Sequence, residues 1–170
     1  IGNLGGCIDF FKHTHPRGKE ADWWSGNELK KEEGYTTHLI TKHSINFIEA
    51  NKDQPFFLYV SHTAPHTPLQ GPDSQGKKQK PEEAYPQMIQ EIDRGVGQII
   101  ETLRKNDLLE KTLIIFTADN GHSRHSPGSA GIYREKKGTN YEGGHRVPTF
   151  FNWPGKIKGG IISDALAMTF

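Results

Sequence analysis

The fold is decided by the stretch Leu113-Ile114-Ile115-Phe116-Thr117-Ala118-Asp119-Asn120-Gly121. Its apolar run is typical of a buried strand, and a carboxylate and an amide follow the run at once. We expect Gly121 to let the chain turn sharply, since glycine has no Cβ to clash. In open α/β sheets the ligand site lies just beyond the carboxyl ends of the strands. Asp119 and Asn120 are therefore expected at such an edge, although an ordinary Asp-Asn-Gly turn has the same pattern.

Helix and strand patterns alternate around this stretch. Apolar residues recur at the helical period in two segments, and short apolar runs mark further strands. The predicted helices are 37–50 and about 82–105, and the predicted strands are 56–60, 113–118 and 147–153. Residues 1–35 show no clear period and are interpreted as loop with short elements. This order predicts an α/β fold with a mostly parallel sheet flanked by helices.

Composition and charge narrow the function classes. The chain has 170 residues, of which 33% are hydrophobic, and a formal net charge of +1 with scattered Lys and Arg. We therefore expect no nucleic-acid partner. No segment reaches the ~20 apolar residues of a membrane span. Cys7 is the only cysteine, so no disulfide can form within the chain and the redox compartment stays open.

Three polar segments are expected to meet at one edge of the predicted sheet. They are 61–68, 119–122 and 136–148, and they contain hard oxygen donors, imidazoles and lysines. A hard cation and a lysine would neutralise an oxyanion, and a histidine would transfer protons near neutral pH. A single histidine is more often a structural residue. The joint pattern predicts a site for an oxyanion substrate.

These segments resemble the sulfatase family, within the alkaline-phosphatase-like superfamily, in both sequence and order. The matching blocks are Pro55-Phe56-Phe57-Leu58-Tyr59 with Ala64-Pro65-His66-Thr67-Pro68, then 112–121, then Lys137-Gly138-Thr139-Asn140-Tyr141-Glu142-Gly143-Gly144 through Val147-Pro148, and Trp153-Pro154-Gly155. They are most similar to the arylsulfatase A or N-acetylgalactosamine-6-sulfatase type. The resemblance implies an alkaline-phosphatase-like sheet and hydrolysis of sulfate esters. The substrate would be a sulfated carbohydrate or an aryl sulfate.

The resemblance also implies roles for matched positions. Asp119 and Asn120 would bind Ca²⁺, with Mg²⁺ as the alternative cation. His66 would contact the sulfate and help to protonate the leaving oxygen. Lys137 would bind sulfate oxygens as a compact charge, so His66 and Lys137 are assigned as both catalytic and substrate-binding.

Three further residues have two interpretations. His122 and His145 are assigned as substrate contacts, and a structural role in their loop is the equal alternative. The same two alternatives apply to Arg124. His13 and His15 form a His-x-His pair with no third ligand nearby, so we do not assign a metal to them.

The nucleophile that the resemblance implies has no counterpart in this sequence. It would be a formylglycine made from Cys or Ser in a Cys-x-Pro-Ser-Arg or similar box. Cys7 lies in Cys7-Ile8-Asp9-Phe10-Phe11, which lacks the Pro and the Arg, and is interpreted as a small packed residue. The family's paired N-terminal aspartates are also absent. Two ligands fall short of the ~6–8 oxygens that Ca²⁺ prefers, so we expect the chain alone to bind Ca²⁺ weakly and to be inactive.

Both chain ends read as interrupted, because Ile1 begins in a loop-like stretch and Phe170 ends an apolar one. We therefore expect 1–170 to be the central-to-late part of a single sulfatase catalytic domain, with the nucleophile upstream. By resemblance, the parent would be periplasmic, extracellular or lysosomal, and its oligomeric state stays open. Two other functions fit the same segments. One is a phosphoesterase or phosphonate hydrolase of the same superfamily, against which block 137–144 argues. The other is a non-catalytic protein that binds sulfated glycans.

Overall fold

The computed structural model describes residues 1–77 and 79–167, in which short elements are joined by long loops. In chain order the elements are β1 (Trp24–Ser25), β2 (Glu28–Leu29), α1 (Thr36–Asn51), α2 (Pro81–Lys105), β3 (Ile114–Thr117), α3 (Glu142–His145) and β4 (Thr149–Asn152), with 3-10 turns at Pro72–Ser74 and Leu109–Lys111. Over these residues, no helix has both the length and the apolar character that crossing a bilayer requires. The apolar C-terminal stretch extends beyond the described residues.

Contacts along the chain divide it into two compact units. The first unit is Ile1–Asn106 and the second unit is Asp107–Phe170. The first unit holds both long helices and the β1–β2 pair, and the second holds β3, β4 and the short α3.

Helix α1 begins where Tyr35 is extended and the chain then turns into the helix. The sequence predicts a helix over 37–50, and the observed bounds confirm it. No side-chain hydrogen bond caps α1 within the described residues. Instead, the Thr36 hydroxyl and amide both donate to the Phe10 carbonyl oxygen, over 3.1 and 2.8 Å. This contact fixes the start of α1 against the N-terminal segment rather than within the helix itself.

Helix α2 carries the terminal signals that stabilise a helix. Its first turn contains Pro81, Glu82 and Glu83, and its last turn contains Arg104 and Lys105. The acidic residues thus lie at the positive end of the helix dipole and the basic residues at the negative end, which stabilises the helix. The predicted helix over about 82–105 is therefore confirmed.

Gly95 of α2 makes a closer helix contact than the sequence indicates. A Cβ at this position would lie 3.5 Å from the Thr41 Cβ on α1, and closer still to the Thr41 hydroxyl oxygen. The absence of a side chain at Gly95 therefore lets the two long helices approach each other in the first unit.

Residues 1–35, which show no clear period in the sequence, contribute much of the core of the first unit. One cluster joins Phe10 and Tyr35 to Met88 and Ile92 of α2. A second joins Ile8, Trp23, Leu39 and Ile40. Residues 1–35 thus pack as an irregular layer against both helices, and Trp23 is 1% exposed.

The predicted parallel sheet is not confirmed by the described residues. They form two separate two-stranded antiparallel pairs, β1 with β2 and β3 with β4. In the second pair Ile115 lies opposite Phe151, and Phe116 lies opposite Phe150. Ile115 and Phe116 are also exposed, so the expectation that this strand is buried is wrong here. The coarser α/β class holds, since helices and strands both occur.

The predicted strand over 56–60 is extended but has no strand partner among the described residues. The exposure of its side chains alternates. Phe57 is 86% and Tyr59 is 79% exposed, whereas Phe56, Leu58 and Val60 are half-buried. An apolar run of this kind predicts an extended backbone. It does not predict a strand pair, because pairing also requires a second segment at hydrogen-bonding distance.

Candidate functional site

Asp119 and Asn120 lie just beyond β3, separated from it by Ala118, where the sequence analysis expects cation ligands. Asp119 is exposed and Asn120 is half-buried. The Asn120 Nδ2 amide donates to the carbonyl oxygen of Gly121 over 3.2 Å. With its amide nitrogen engaged in this way, Asn120 has Oδ1 left as its oxygen donor. A carboxylate and an amide oxygen on adjacent residues are a donor set that suits a hard cation.

The loop of Asp119 and Asn120 is hydrogen-bonded to the loop of Lys137. The Lys137 backbone amide donates to the carbonyl oxygen of His122 over 3.0 Å, and the Gly121 amide donates to the carbonyl oxygen of Gly144 over 2.9 Å. These bonds bring together segments that are far apart in the sequence. The second unit thus joins the predicted cation ligands and the predicted sulfate-binding lysine in one loop cluster.

The two adjacent lysines of this cluster have different surroundings. The Lys136 Nζ atom lies 3.6 Å from the Glu135 carboxylate. Lys137 is exposed, and its Nζ atom has no carboxylate within 4.0 Å among residues 1–77 and 79–167. Lys137 therefore keeps a positive charge that a carboxylate does not already neutralise.

The histidines of the second unit differ in burial. His122 is half-buried, and its Nδ1 atom is buried with no hydrogen-bond partner in the described part of the chain. His145 is exposed at the last position of α3. The Arg124 Nε atom donates to the His125 Nε2 atom over 3.1 Å, so Arg124 is tied to its neighbour in the loop.

Arg146 and Glu142 are joined across α3. The Arg146 guanidinium lies 3.0 Å from the Glu142 carboxylate and 4.8 Å from the centre of the Tyr133 ring. The carboxylate is thereby engaged within its own helix turn. This contact gives Glu142 a structural role in the loop cluster.

His66 belongs to the first unit, whereas the other candidates belong to the second. It is exposed, and its Nδ1 atom lies 2.9 Å from the carbonyl oxygen of Thr67. A carbonyl oxygen only accepts, so Nδ1 carries the proton and Nε2 is the nitrogen available to a substrate. This assignment gives His66 a defined tautomer.

His62, in the same segment, was not assigned a role by sequence reasoning. Burial lowers its pKa to about 4. Both ring nitrogens are buried without a hydrogen-bond partner among the described residues. His62 is therefore neutral near neutral pH and does not suit proton transfer there. Nothing in its sequence context distinguishes it from His66 in this respect.

His13 and His15 have separate neighbours. The His13 ring is buried and stacks on Trp23 with the ring centres 5.1 Å apart, whereas the His15 Nε2 atom lies 3.8 Å from the Cys7 sulfur. In the parts of the chain that the structure describes, no group of three or more His, Cys, Asp or Glu side chains is arranged to hold a metal ion. The assignment of Asp119 and Asn120 as cation ligands therefore stays a prediction.

Comparison with known proteins links this arrangement to a family. The sulfatase family model matches residues 5–167. An arylsulfatase from Hemicentrotus pulcherrimus is 36% identical over 131 residues, which are 75% of this chain and 24% of that protein. The N-acetylgalactosamine-6-sulfatase of Canis lupus familiaris is 34% identical over 150 residues, which are 81% of this chain and 27% of that protein.

A solved structure shows the same relation. The crystal structure of Ps i-CgsB in complex with k-i-k-neocarrahexaose is 32% identical, with a TM-score of 0.79, over 91% of this chain and 39% of that chain. The chain therefore spans about a quarter of the length of the two curated relatives. The family match nonetheless contains every candidate residue, from His66 to His145. With the sequence blocks, the backbone arrangement and the family match in agreement, the chain belongs to the sulfatase family.

Proposed function

We propose that this chain is part of a sulfuric ester hydrolase and supplies about half of the groups that bind the cation and the sulfate. The observation that carries the proposal is the 3.0 Å hydrogen bond from the Lys137 amide to the His122 carbonyl oxygen. It joins a loop of hard oxygen donors to a loop with an unneutralised lysine. That combination suits a small, charged oxyanion ester better than a neutral substrate.

Asp119 and Asn120 would hold the cation, which we propose is Ca²⁺, with Mg²⁺ as the alternative. The amide orientation of Asn120 supports this role, since its oxygen is the donor left over. A bound cation would supply charge stabilisation at a sulfate oxygen. Since Ca²⁺ prefers ~6–8 oxygens, the remaining ligands would come from other residues of the complete protein, from water or from the sulfate.

Lys137 would bind the sulfate oxygens, and His66 would act at the leaving oxygen. An ammonium group is a compact charge with three donors, which suits oxygens that are arranged as a tetrahedron. His66 has Nδ1 engaged with Thr67, so its Nε2 atom is the one that would donate a proton when the ring is charged. His122 and His145 would be further substrate contacts at the edge of the same loop cluster.

The nucleophile would be a formylglycine outside these 170 residues, and its hydrated aldehyde would supply the attacking oxygen. Residues 1–170 would then be the central-to-late part of a single catalytic domain. The chain by itself would bind Ca²⁺ weakly and release no sulfate.

A sulfated carbohydrate is the proposed substrate, and an aryl sulfate is the expected test substrate. Two related proteins support the carbohydrate, one named for N-acetylgalactosamine 6-sulfate and one solved in complex with k-i-k-neocarrahexaose. By family membership, the proposed location is periplasmic, extracellular or lysosomal.

The test is sulfate release by the complete protein that contains these residues. A chromogenic aryl sulfate, sulfated oligosaccharides and the matching phosphate monoester would be compared, each with and without Ca²⁺ chelation. We expect sulfate release that chelation abolishes and that added Ca²⁺ restores. Faster hydrolysis of the phosphate ester would favour a phosphoesterase. Salt-dependent glycan binding without any turnover would favour a binding protein.

A further inference from the structure

Three glycines of the second unit lie where backbone segments cross without room for a side chain. A Cβ at Gly121 would lie 2.9 Å from the carbonyl carbon of Gly143 and closer still to its oxygen. A Cβ at Gly143 would lie 2.8 Å from the carbonyl carbon of Glu135, and one at Gly144 would lie 2.9 Å from the carbonyl oxygen of Lys136. The neighbour is backbone in each case, so it cannot rotate away as a flexible side chain can.

The same crossings carry hydrogen bonds between the loops. The Gly121 amide donates to Gly144 over 2.9 Å, and the Gly143 amide donates to Arg134 over 2.8 Å. Helix α3 is thus held between the loop of the cation ligands on one side and the loop that leads to Lys137 on the other. Both glycines of α3 are buried, whereas Lys137 is exposed.

We infer that Gly121, Gly143 and Gly144 are positioning residues that set the spacing between the cation ligands and Lys137. The inference rests on the proposed function, since it assumes that Asp119 binds a cation and that Lys137 binds sulfate. A Cβ at any of the crossings forces the two loops apart, because neither backbone can give way alone. Affinity for the cation and affinity for sulfate then fall together.

The experiment uses Gly121→Ala and Gly144→Ala in the complete protein. The matched control is Gly159→Ala in the same unit, because this exposed glycine has no left-handed backbone and no described atom within 4 Å of the point where a Cβ would lie. Terbium luminescence with Ca²⁺ competition measures cation affinity, and inhibition by inorganic sulfate measures the affinity of the sulfate-binding half. Circular dichroism identifies the temperature range in which each variant is folded.

We expect both affinities to fall by roughly tenfold to a hundredfold in the folded glycine variants, the range typical of residues that orient metal ligands. The control is expected to match the wild type. A purely structural role would lower the melting temperature and leave both affinities of the folded protein unchanged. That outcome, or the loss of only one affinity, overturns the inference.

If the alanine variants do not fold, a less disruptive substitution tests the same inference. The Thr139 hydroxyl donates to the Lys136 carbonyl oxygen over 2.8 Å, and Thr139→Val removes this bond at constant size in the turn beside Gly144. Parallel, smaller losses of both affinities support the inference, and unchanged affinities overturn it. Wild-type protein that binds neither Ca²⁺ nor sulfate overturns the proposed function itself.

Discussion

The His38 Nε2 atom on α1 lies 2.7 Å from the Glu91 Oε2 atom on α2, and this hydrogen bond joins the two long helices of the first unit. The Glu91 side chain is 6% exposed, and its other oxygen lies 2.8 Å from the Arg94 guanidinium. A buried carboxylate that loses one of two partners keeps its desolvation cost, so the pair matters more for stability than an exposed one.

His38→Ala is therefore expected to lower the free energy of unfolding by about 1–2 kcal/mol. Urea unfolding of the complete protein measures the change. The matched control is Arg104→Ala, which breaks an exposed pair with Glu101 and is expected to cost less than about 0.5 kcal/mol. Equal effects of the two variants would contradict the importance of the helix–helix pair.

Glu32 is expected to make stability depend on pH in the acid range. Burial by itself raises its pKa, but hydrogen bonds from His43, Trp23 and Lys42 outweigh burial and lower the pKa to about 2. A lowered carboxyl pKa contributes stability above the unfolded value near 4.5, and this contribution is lost as pH falls toward 2.

Glu32→Gln is the variant that isolates this contribution. The difference in the free energy of unfolding between wild type and variant, measured by urea unfolding, is expected to be largest above pH 5 and to shrink toward pH 2, with a total on the order of 3 kcal/mol. A difference that stays constant across this range would show that the charge of Glu32 has no part in it.

His62 is expected to make the fold sensitive to milder acid. Its pKa is lowered by burial to about 4, against 6.5 in the unfolded chain. The unfolded state therefore takes up the proton first, and stability falls as pH drops from 6.5 toward 4. His62→Phe removes this titration, so the variant should lose less thermal stability than the wild type between pH 7 and pH 4. Melting temperatures that fall equally with pH in the wild type and in the variant would contradict this role of His62.

Lys137 and Lys136 test the sulfate-binding role with adjacent residues of the same charge. Lys137→Ala is expected to lower kcat/KM for an aryl sulfate by about a hundredfold to a thousandfold, since a charge at the developing oxyanion is lost. Lys136→Ala breaks only the exposed pair with Glu135, and we expect activity close to that of the wild type. Similar losses in both variants would point to a general effect of loop charge.

Asp119→Asn tests the cation site with little change of shape. The loss of one ligand charge is expected to raise the Ca²⁺ concentration for half-maximal activity by roughly tenfold or more. Asp53→Asn, in the exposed loop after α1, is the control. A Ca²⁺ requirement that does not move in the Asp119 variant would remove this residue from the proposed ligand set.

Sequence patterns predicted the two long helices well because the apolar residues that form the buried face of a helix recur at the helical period within its own sequence. The apolar stripe of α2 and the terminal charges beside Pro81 and Lys105 are local signals. The direction and pairing of strands are not local. The run at 56–60 indicated the right backbone conformation but not its pairing, and β3 pairs antiparallel with β4.

The candidate site shows the same division. Resemblance selected Asp119, Asn120, Lys137 and His66, and their roles stay predictions. Gly121 was expected to serve a sharp turn, whereas its lack of a side chain is required by the approach of Gly143. Contact between residues so far apart in sequence arises from tertiary packing, which a local motif does not reveal.

The hydrogen bond from Lys137 to His122 closes the base of the loop that lies between these two residues. In such a closed loop the ends are fixed by main-chain contacts, and each doubling of length costs only about 0.6 kcal/mol of closure entropy. Residues 123–132 can therefore change in length and chemistry while the ends of the loop keep their spacing. Under the proposed function, a change confined to this segment would therefore leave the groups that would hold the sulfate at their spacing.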